Sequence, residues 1–191
     1  RRQFAEIVTE EMLRRHRDIE PDLRGTLDRL GWTLHEGHLV EVAILDPSEL
    51  PELPSESHGD LLKAATRLRD GDLSGAVSAA CAAVDSVTSR IYKEKGLGDP
   101  SSASFQEKVS RSVAARDVSK EVERQLGELG WEPPDASMLA KNLHGALNQG
   151  AYVMQALRSR MGDVHGTKPI LKPLVFDSIK WAALIVRFLR P

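Results

Sequence analysis

Small and apolar side chains recur at three- and four-residue intervals over positions 74–95, and this spacing constrains the fold more than any other feature of the chain. The positions are Ala76, Ala80, Ala83, Val84, Val87 and Ile91. Their interval matches the 3.6-residue turn of an α-helix, so these side chains share one face. Because several of them are small, another helix can approach that face closely. The pattern predicts a long buried helix inside a helical bundle.

Further helical segments follow along the chain, each with recognisable ends. Asp72 or Ser74 is available to cap the start of the central helix, and Gly96 marks its end. Helices are expected at 61–69, 74–95, 104–114, 117–129, 135–161 and 172–189. On the fifth of these, the predicted buried stripe is Leu139, Leu143, Ala146, Leu147, Met154 and Leu157. The sequence from position 60 onward therefore predicts an all-α bundle.

The N-terminal residues have a different pattern, which predicts a small α+β element. Amphipathic spacing indicates a helix from Phe4 to about Arg17, and Pro21 opens a second helix that ends before Gly31. Residues 39–45 are expected to form one short strand, or a hairpin with 32–34 across Glu36 and Gly37.

Residues 46–59 combine prolines with Ser and Gly, which is typical of a linker. We therefore predict two parts, an N-terminal element with its linker at 1–57 and a helical domain at 58–191.

Composition excludes several classes of protein. With 26 Lys and Arg against 28 Asp and Glu, the net charge is -2, so any contact with nucleic acid must come from a local basic patch. The single cysteine, Cys81, forms neither an internal disulfide nor a cysteine-based zinc site, as expected in a reducing cytoplasm. The histidines His16, His35 and His38 lack metal-ligand partners at useful spacing. We expect no metal and no cofactor.

Neither a membrane span nor a signal peptide is expected from the hydropathy pattern. The apolar run at 181–186 has only six residues, far fewer than a bilayer requires. The first twenty residues carry charges throughout. The chain begins at Arg1 without an initiator Met, so we expect a further domain or partner region upstream.

The segment that joins the last two long helices, LRSRMGDVHG at 157–166, places His165 five positions after Arg160. An Arg-x4-His pattern at the junction of two bundle helices resembles the signature of the HEPN superfamily. The surrounding string resembles the C-terminal domain of abortive-infection proteins, a HEPN branch of bacterial antiphage defence. The resemblance covers about residues 60–190. It extends upstream to GDLSGAV at 71–77 and to Asp85, where the family's first core helix usually has an acidic residue.

This resemblance implies a metal-independent endoribonuclease, a toxin of antiviral defence. In such enzymes the ribose 2′-OH attacks the adjacent phosphate and leaves a 2′,3′-cyclic phosphate and a 5′-OH. His165 is then the acid/base group and Arg160 the cation that holds the phosphoryl oxygens. Because one histidine does not easily act as base and acid in one step, the resemblance also implies a C2 homodimer with both motifs in one cleft. Asp85 and Asp163 are the candidate supporting residues.

Geometry and local charge give this hypothesis partial support. On a straight helix Arg160 and His165 lie about 140° apart, but Gly162 and Gly166 allow the chain to turn and bring them together. Near the motif Arg158, Lys168 and Lys172 add positive charge against the single Asp163, which predicts a basic rim for RNA such as tRNA or mRNA.

Other interpretations remain open at this level. Arg160 could serve the helix dipole or pair with Asp163, and His165 could be a capping histidine. Asp85 could orient either motif residue or be an ordinary ion-pair partner. On the long helix Asn142, His144 and Asn148 could face a cleft or the solvent.

The residue after the motif arginine is usually polar in the family but is Met161 here, which puts catalysis in doubt. The alternative function is a non-catalytic, homodimeric module that binds RNA or a neighbouring defence protein. A third possibility is an antitoxin-like inhibitor of another nuclease, which predicts a large apolar patch that self-association does not use.

Overall fold

The computed structural model of the chain describes residues 2–29, 31–35, 38–41, 44, 51–161 and 171–190. Its backbone contacts divide the chain into two units. The first unit consists of Arg1–Ile44 and Arg69–Gly71, and the second consists of Leu45–Leu68 and Asp72–Pro191.

The first unit contains two helices and a hairpin. Its elements are α1 (Arg2–Arg15), α2 (Glu20–Arg29), β1 (Trp32–His35) and β2 (His38–Glu41). The strands are antiparallel, with Trp32 opposite Glu41. Pro21 lies in the first turn of α2, where the missing N–H has no helical partner to lose. Gly31 follows that helix with a φ of 81°, a value that favours glycine.

The second unit is a bundle of helices. Its elements are α3 (Ser55–Arg69), α4 (Leu73–Lys95), α5 (Phe105–Ala115), α6 (Val118–Glu128), α7 (Pro133–Met161) and α8 (Lys172–Phe188). The described chain is predominantly helical, which confirms the prediction of an all-α bundle at that level. Among the described residues, no helix combines the length and apolar content that crossing a bilayer requires.

Helix α4 forms the centre of this bundle, as its spacing predicted. The side chains of Ala76, Ala80 and Val84 are fully buried. The carboxylate of Asp72 accepts a 2.9 Å hydrogen bond from the Gly75 N–H, which caps the helix start. A Cβ added to Gly75 would meet the Asp72 carboxylate, so this close approach requires glycine.

The buried stripe of α7 differs from the prediction. Leu139 and Ala146, which were expected in the core, are exposed. The side of α7 that packs inward is built largely from small residues: Ala136, Ala140, Leu147, Gly150, Ala151, Met154 and Leu157. Gly150 faces the Trp181 ring of α8, and a Cβ added to it would lie 3.6 Å away, at ordinary van der Waals distance. The buried face of α7 is therefore the one that carries small residues in contact with neighbouring helices, and it is not the one with the most leucines.

The linker predicted for 46–59 is wrong at its C-terminal end, because α3 begins at Ser55. The Pro54 carbonyl accepts hydrogen bonds from both the backbone N–H and the Oγ of Ser57, at 3.0 and 2.6 Å. Ser57 is fully buried. Proline and serine favour a loop by composition, but both residue types are also enriched at helix starts.

Cys81 provides a test of the packing of α4. Its side chain is buried, with Sγ 3.8 Å from the Met154 carbonyl oxygen. Burial raises the pKa of the thiol to about 12. Because the thiolate is the reactive form, we predict that the folded protein resists Ellman's reagent near pH 8, whereas the urea-unfolded chain reacts fully. An Ala114→Cys variant, with a thiol at an exposed position, is the positive control. Rapid labelling of the folded wild-type protein would contradict the packing.

Candidate functional site

The C-terminal end of α7, where the predicted motif begins, is anchored to the start of α4. Ser74 Oγ donates a 2.8 Å hydrogen bond to the backbone oxygen of Met161. Leu157, one turn earlier on α7, is buried. The last carbonyls of a helix have no partner within it, so Ser74 satisfies one of them. The last turn of α7 therefore has a fixed position on the bundle.

Arg160 lies in this last turn and its side chain is exposed. Within the described part of the chain, no hydrogen bond or ion pair holds its guanidinium. An exposed guanidinium of this kind can donate to two oxygens of a phosphate at once. The other motif residue, His165, lies outside the described residues, and so do Asp163 and Lys168.

Asp85 is the centre of an ion-pair cluster that joins three helices. Its Oδ1 accepts a hydrogen bond from Lys108 Nζ on α5. Its Oδ2 accepts a 2.6 Å hydrogen bond from the Arg158 guanidinium on α7. Only 13% of the Lys108 side chain and 23% of the Asp85 side chain are exposed. The described contacts of Asp85 are thus those of an ion-pair partner, and Arg160 is not among them.

The side chains of Arg158 and Arg160 leave α7 in different directions. Two residues apart on a helix, their side chains leave the axis about 200° apart. Arg158 is directed to Asp85 on α4, and its side chain is 47% exposed. Arg160 consequently leaves the helix in another direction, and Arg158, predicted to add to a basic rim for RNA, is paired with Asp85.

Sequence analysis did not identify Lys108 as a partner of Asp85. The two residues are 23 positions apart on different helices, and no local spacing links them. The available signal was a carboxylate on an otherwise small and apolar face of α4, which requires a cation from a neighbouring helix. That signal indicates the existence of a partner but not which residue it is.

Polar contacts continue from this cluster along α5 and α7. Gln155 Oε1 accepts a 2.9 Å hydrogen bond from the Gln106 N–H, in the first turn of α5. Gln106 Nε2 donates to Asn148 Oδ1 at 3.3 Å. His144 is half-buried, with Nδ1 3.5 Å from Ser119 Oγ, whereas Asn142 is exposed. Of the three polar residues considered for a cleft, Asn148 and His144 thus contact neighbouring helices.

A surface groove of about 680 Å³ lies between α6 and the end of α8, and Arg160 is not among its lining residues. Five basic side chains line it: Arg116, Lys120, Arg124, Arg187 and Arg190. Carboxylates offset this charge, since Arg116 pairs with Glu94 at 2.9 Å and Lys120 with Asp117 at 3.0 Å. Hydrogen bonds from Arg124 and Gln125 hold the pKa of Glu121 down at about 2. With Arg124 paired to Glu121 and Arg190 to Glu52, four of the five basic side chains of the groove already have a carboxylate partner.

Among the described residues, no three His, Cys, Asp or Glu side chains are grouped so that they could hold a metal ion. Lys172, the remaining candidate for RNA binding, is exposed at the first position of α8.

Comparison of the chain with protein-family models, with curated proteins and with solved structures finds no match.

Proposed function

We propose that this chain is a metal-independent endoribonuclease of the HEPN type that acts in antiphage defence. The observation that carries the proposal is the exposed Arg160 in the anchored last turn of α7. The Arg-x4-His resemblance supplies the second group, His165, and the chemistry. RNA such as tRNA or mRNA is the proposed substrate, and the proposed location is the cytoplasm, where a single thiol stays reduced.

In the proposed reaction the 2′-oxygen forms a bond to the adjacent phosphorus, and the bond from phosphorus to the 5′-oxygen breaks. The proton of the 2′-OH passes to a neutral histidine, and an imidazolium donates a proton to the leaving 5′-oxygen. Negative charge grows on the phosphoryl oxygens, and the Arg160 guanidinium stabilises it. Two copies of the chain supply the two histidines, so the active form is a homodimer with a shared cleft.

The test is cleavage of purified tRNA and total RNA in EDTA by the wild-type protein and by His165→Ala. We expect cleavage that persists in EDTA, leaves 2′,3′-cyclic phosphates and falls at least 100-fold in the variant, because removing an acid/base group typically costs 10²–10⁴-fold. His16→Ala, which removes an exposed histidine outside the motif, is the matched control and should cleave as the wild type does.

Two results would contradict the proposal. Cleavage that requires a divalent cation would indicate another chemistry. No cleavage by a folded wild-type protein, together with binding to RNA or to a defence protein, would favour the non-catalytic module.

A further inference from the structure

One face of α7 remains open to solvent along nearly the whole helix. We call it the outer face, and its residues lie within about 60° of one line parallel to the helix axis. They are Asp135, Met138, Asn142, Gly145, Ala146, Gln149, Tyr152, Val153, Ala156 and Arg160. All are exposed except Val153 and Ala156, which are half-buried. The two largest apolar side chains of the outer face, Met138 and Tyr152, are 60% and 52% exposed.

Charge on the outer face is confined to its two ends. Asp135 lies at the N-terminal end and Arg160 at the C-terminal end, about 38 Å away along the axis. Between them the outer face is uncharged, and the exposed Lys141 lies at its edge, about 80° from that line. Within the described part of the chain, neither residue is in an ion pair. A face with opposite charges at its ends is complementary to a second copy of itself that runs in the opposite direction.

We propose that two copies of this chain associate through the outer faces of α7, antiparallel about a two-fold axis near residue 147. Asp135 of each copy then lies opposite Arg160 of the other. A parallel pairing would instead place Asp135 against Asp135 and Arg160 against Arg160.

Side-chain size supports the same register. About an axis at residue 147, Met138 lies opposite Ala156 of the second copy. Tyr152 lies opposite Asn142, and Gln149 opposite Gly145. Each larger side chain thus meets a smaller one, and Gly145 and Ala146 allow the two helices to come close at the axis.

The contact is small, and small interfaces are typically those of weak, transient complexes. A single helix pair of this length buries less than the roughly 1,200–2,000 Å² of a standard interface, so we expect a dissociation constant in the micromolar range. For the nuclease proposed above, this antiparallel dimer is an inactive resting form. The pairing engages Arg160 and places its two copies about 39 Å apart along the axis, so they do not share one cleft. The pairing itself does not depend on that activity.

The first experiment is sedimentation of the full chain without RNA over a wide concentration range. The wild type should form a dimer that dissociates on dilution. Ala146→Lys, which places two cations near the axis, should remain monomeric at the highest concentration. Ala114→Lys, on an exposed position of α5, is the matched control and should dimerise as the wild type does.

Charge reversal tests the predicted pairing of Asp135 with Arg160 of the second copy at the ends of the outer face. Asp135→Arg and Arg160→Asp should each weaken the dimer at least threefold, and the double variant should restore it. The proposal would be overturned by a monomeric wild type, or by a dimer whose dissociation constant is unchanged in Ala146→Lys. Because no RNA is present, an inactive nuclease leaves this test unaffected.

Cysteine cross-linking tests the direction of the helices, since Cys81 is buried and does not compete. The double variant Met138→Cys/Ala156→Cys should form a covalent dimer under mild oxidation. Neither single variant should do so, because copies of position 138 lie about 27 Å apart in this register. Cross-linking by the single variants would indicate a parallel arrangement and would overturn the proposed register.

Discussion

Replacing Asp85 by Ala should lower the free energy of unfolding by about 2–3 kcal/mol, between the values for exposed and fully buried ion pairs. The physical reason is the burial of Lys108, whose side chain is only 13% exposed. Without the carboxylate this ammonium has no described acceptor, and its desolvation is uncompensated. Urea unfolding followed by circular dichroism measures the change.

The partner substitution distinguishes this explanation from a general packing defect. Lys108→Met keeps a long side chain in the same space and leaves Asp85 paired with Arg158 at 2.6 Å. We expect it to cost less than about 1 kcal/mol, and Asp85→Ala should lose most of its effect in that background. Equal losses in both backgrounds would show that the ion pair is not the cause.

Replacing Arg160 by Ala should reduce the rate of RNA cleavage by about 10²–10³-fold, the usual loss when one donor to a developing oxyanion is removed. Arg160→Lys should recover only part of the rate, because an ammonium cannot donate to two phosphoryl oxygens in a fixed fork. Since the side chain is exposed, stability should change by less than about 0.5 kcal/mol. Initial rates on one labelled RNA, with unfolding curves for each variant, measure both.

Arg111→Ala is the matched control for this prediction. Arg111 is also an exposed helical arginine, and its one described salt bridge is to Glu107 at 2.6 Å within α5. It should leave cleavage unchanged. If Arg111→Ala and Arg160→Ala reduced cleavage equally, the effect would be one of overall charge and the assigned role of Arg160 would be wrong.

The helices of the bundle could be predicted from the sequence because their signals are local. The spacing of small residues identified α4, and Asp72 and Gly96 are its observed caps. For α7 the predicted buried stripe is partly wrong, because Leu139, predicted to lie in the core, is exposed. Periodicity shows that a helix has a buried face, but the direction of that face depends on which residues of the neighbouring helices it meets.

The candidate site was less accessible to sequence reasoning than the fold. A short motif drew attention to Arg160, and the exposure of its side chain agrees with a role in contacting a ligand. The contacts of Asp85 with Lys108 and Arg158 could not be predicted, because they join residues on three helices. Such contacts depend on the relative rotation of packed helices, which local spacing does not determine.

The central claim, that this chain cleaves RNA by attack of a 2′-OH, is tested most directly with one substrate. The substrate is an RNA strand cut by the wild-type protein, resynthesised with a 2′-O-methyl group at every position except the nucleotide 5′ to the cut. The claim predicts cleavage only after that one ribose, with a 2′,3′-cyclic phosphate on the 5′ fragment. Cleavage of a fully 2′-O-methylated strand, or a 5′-phosphate at the cut, would contradict it.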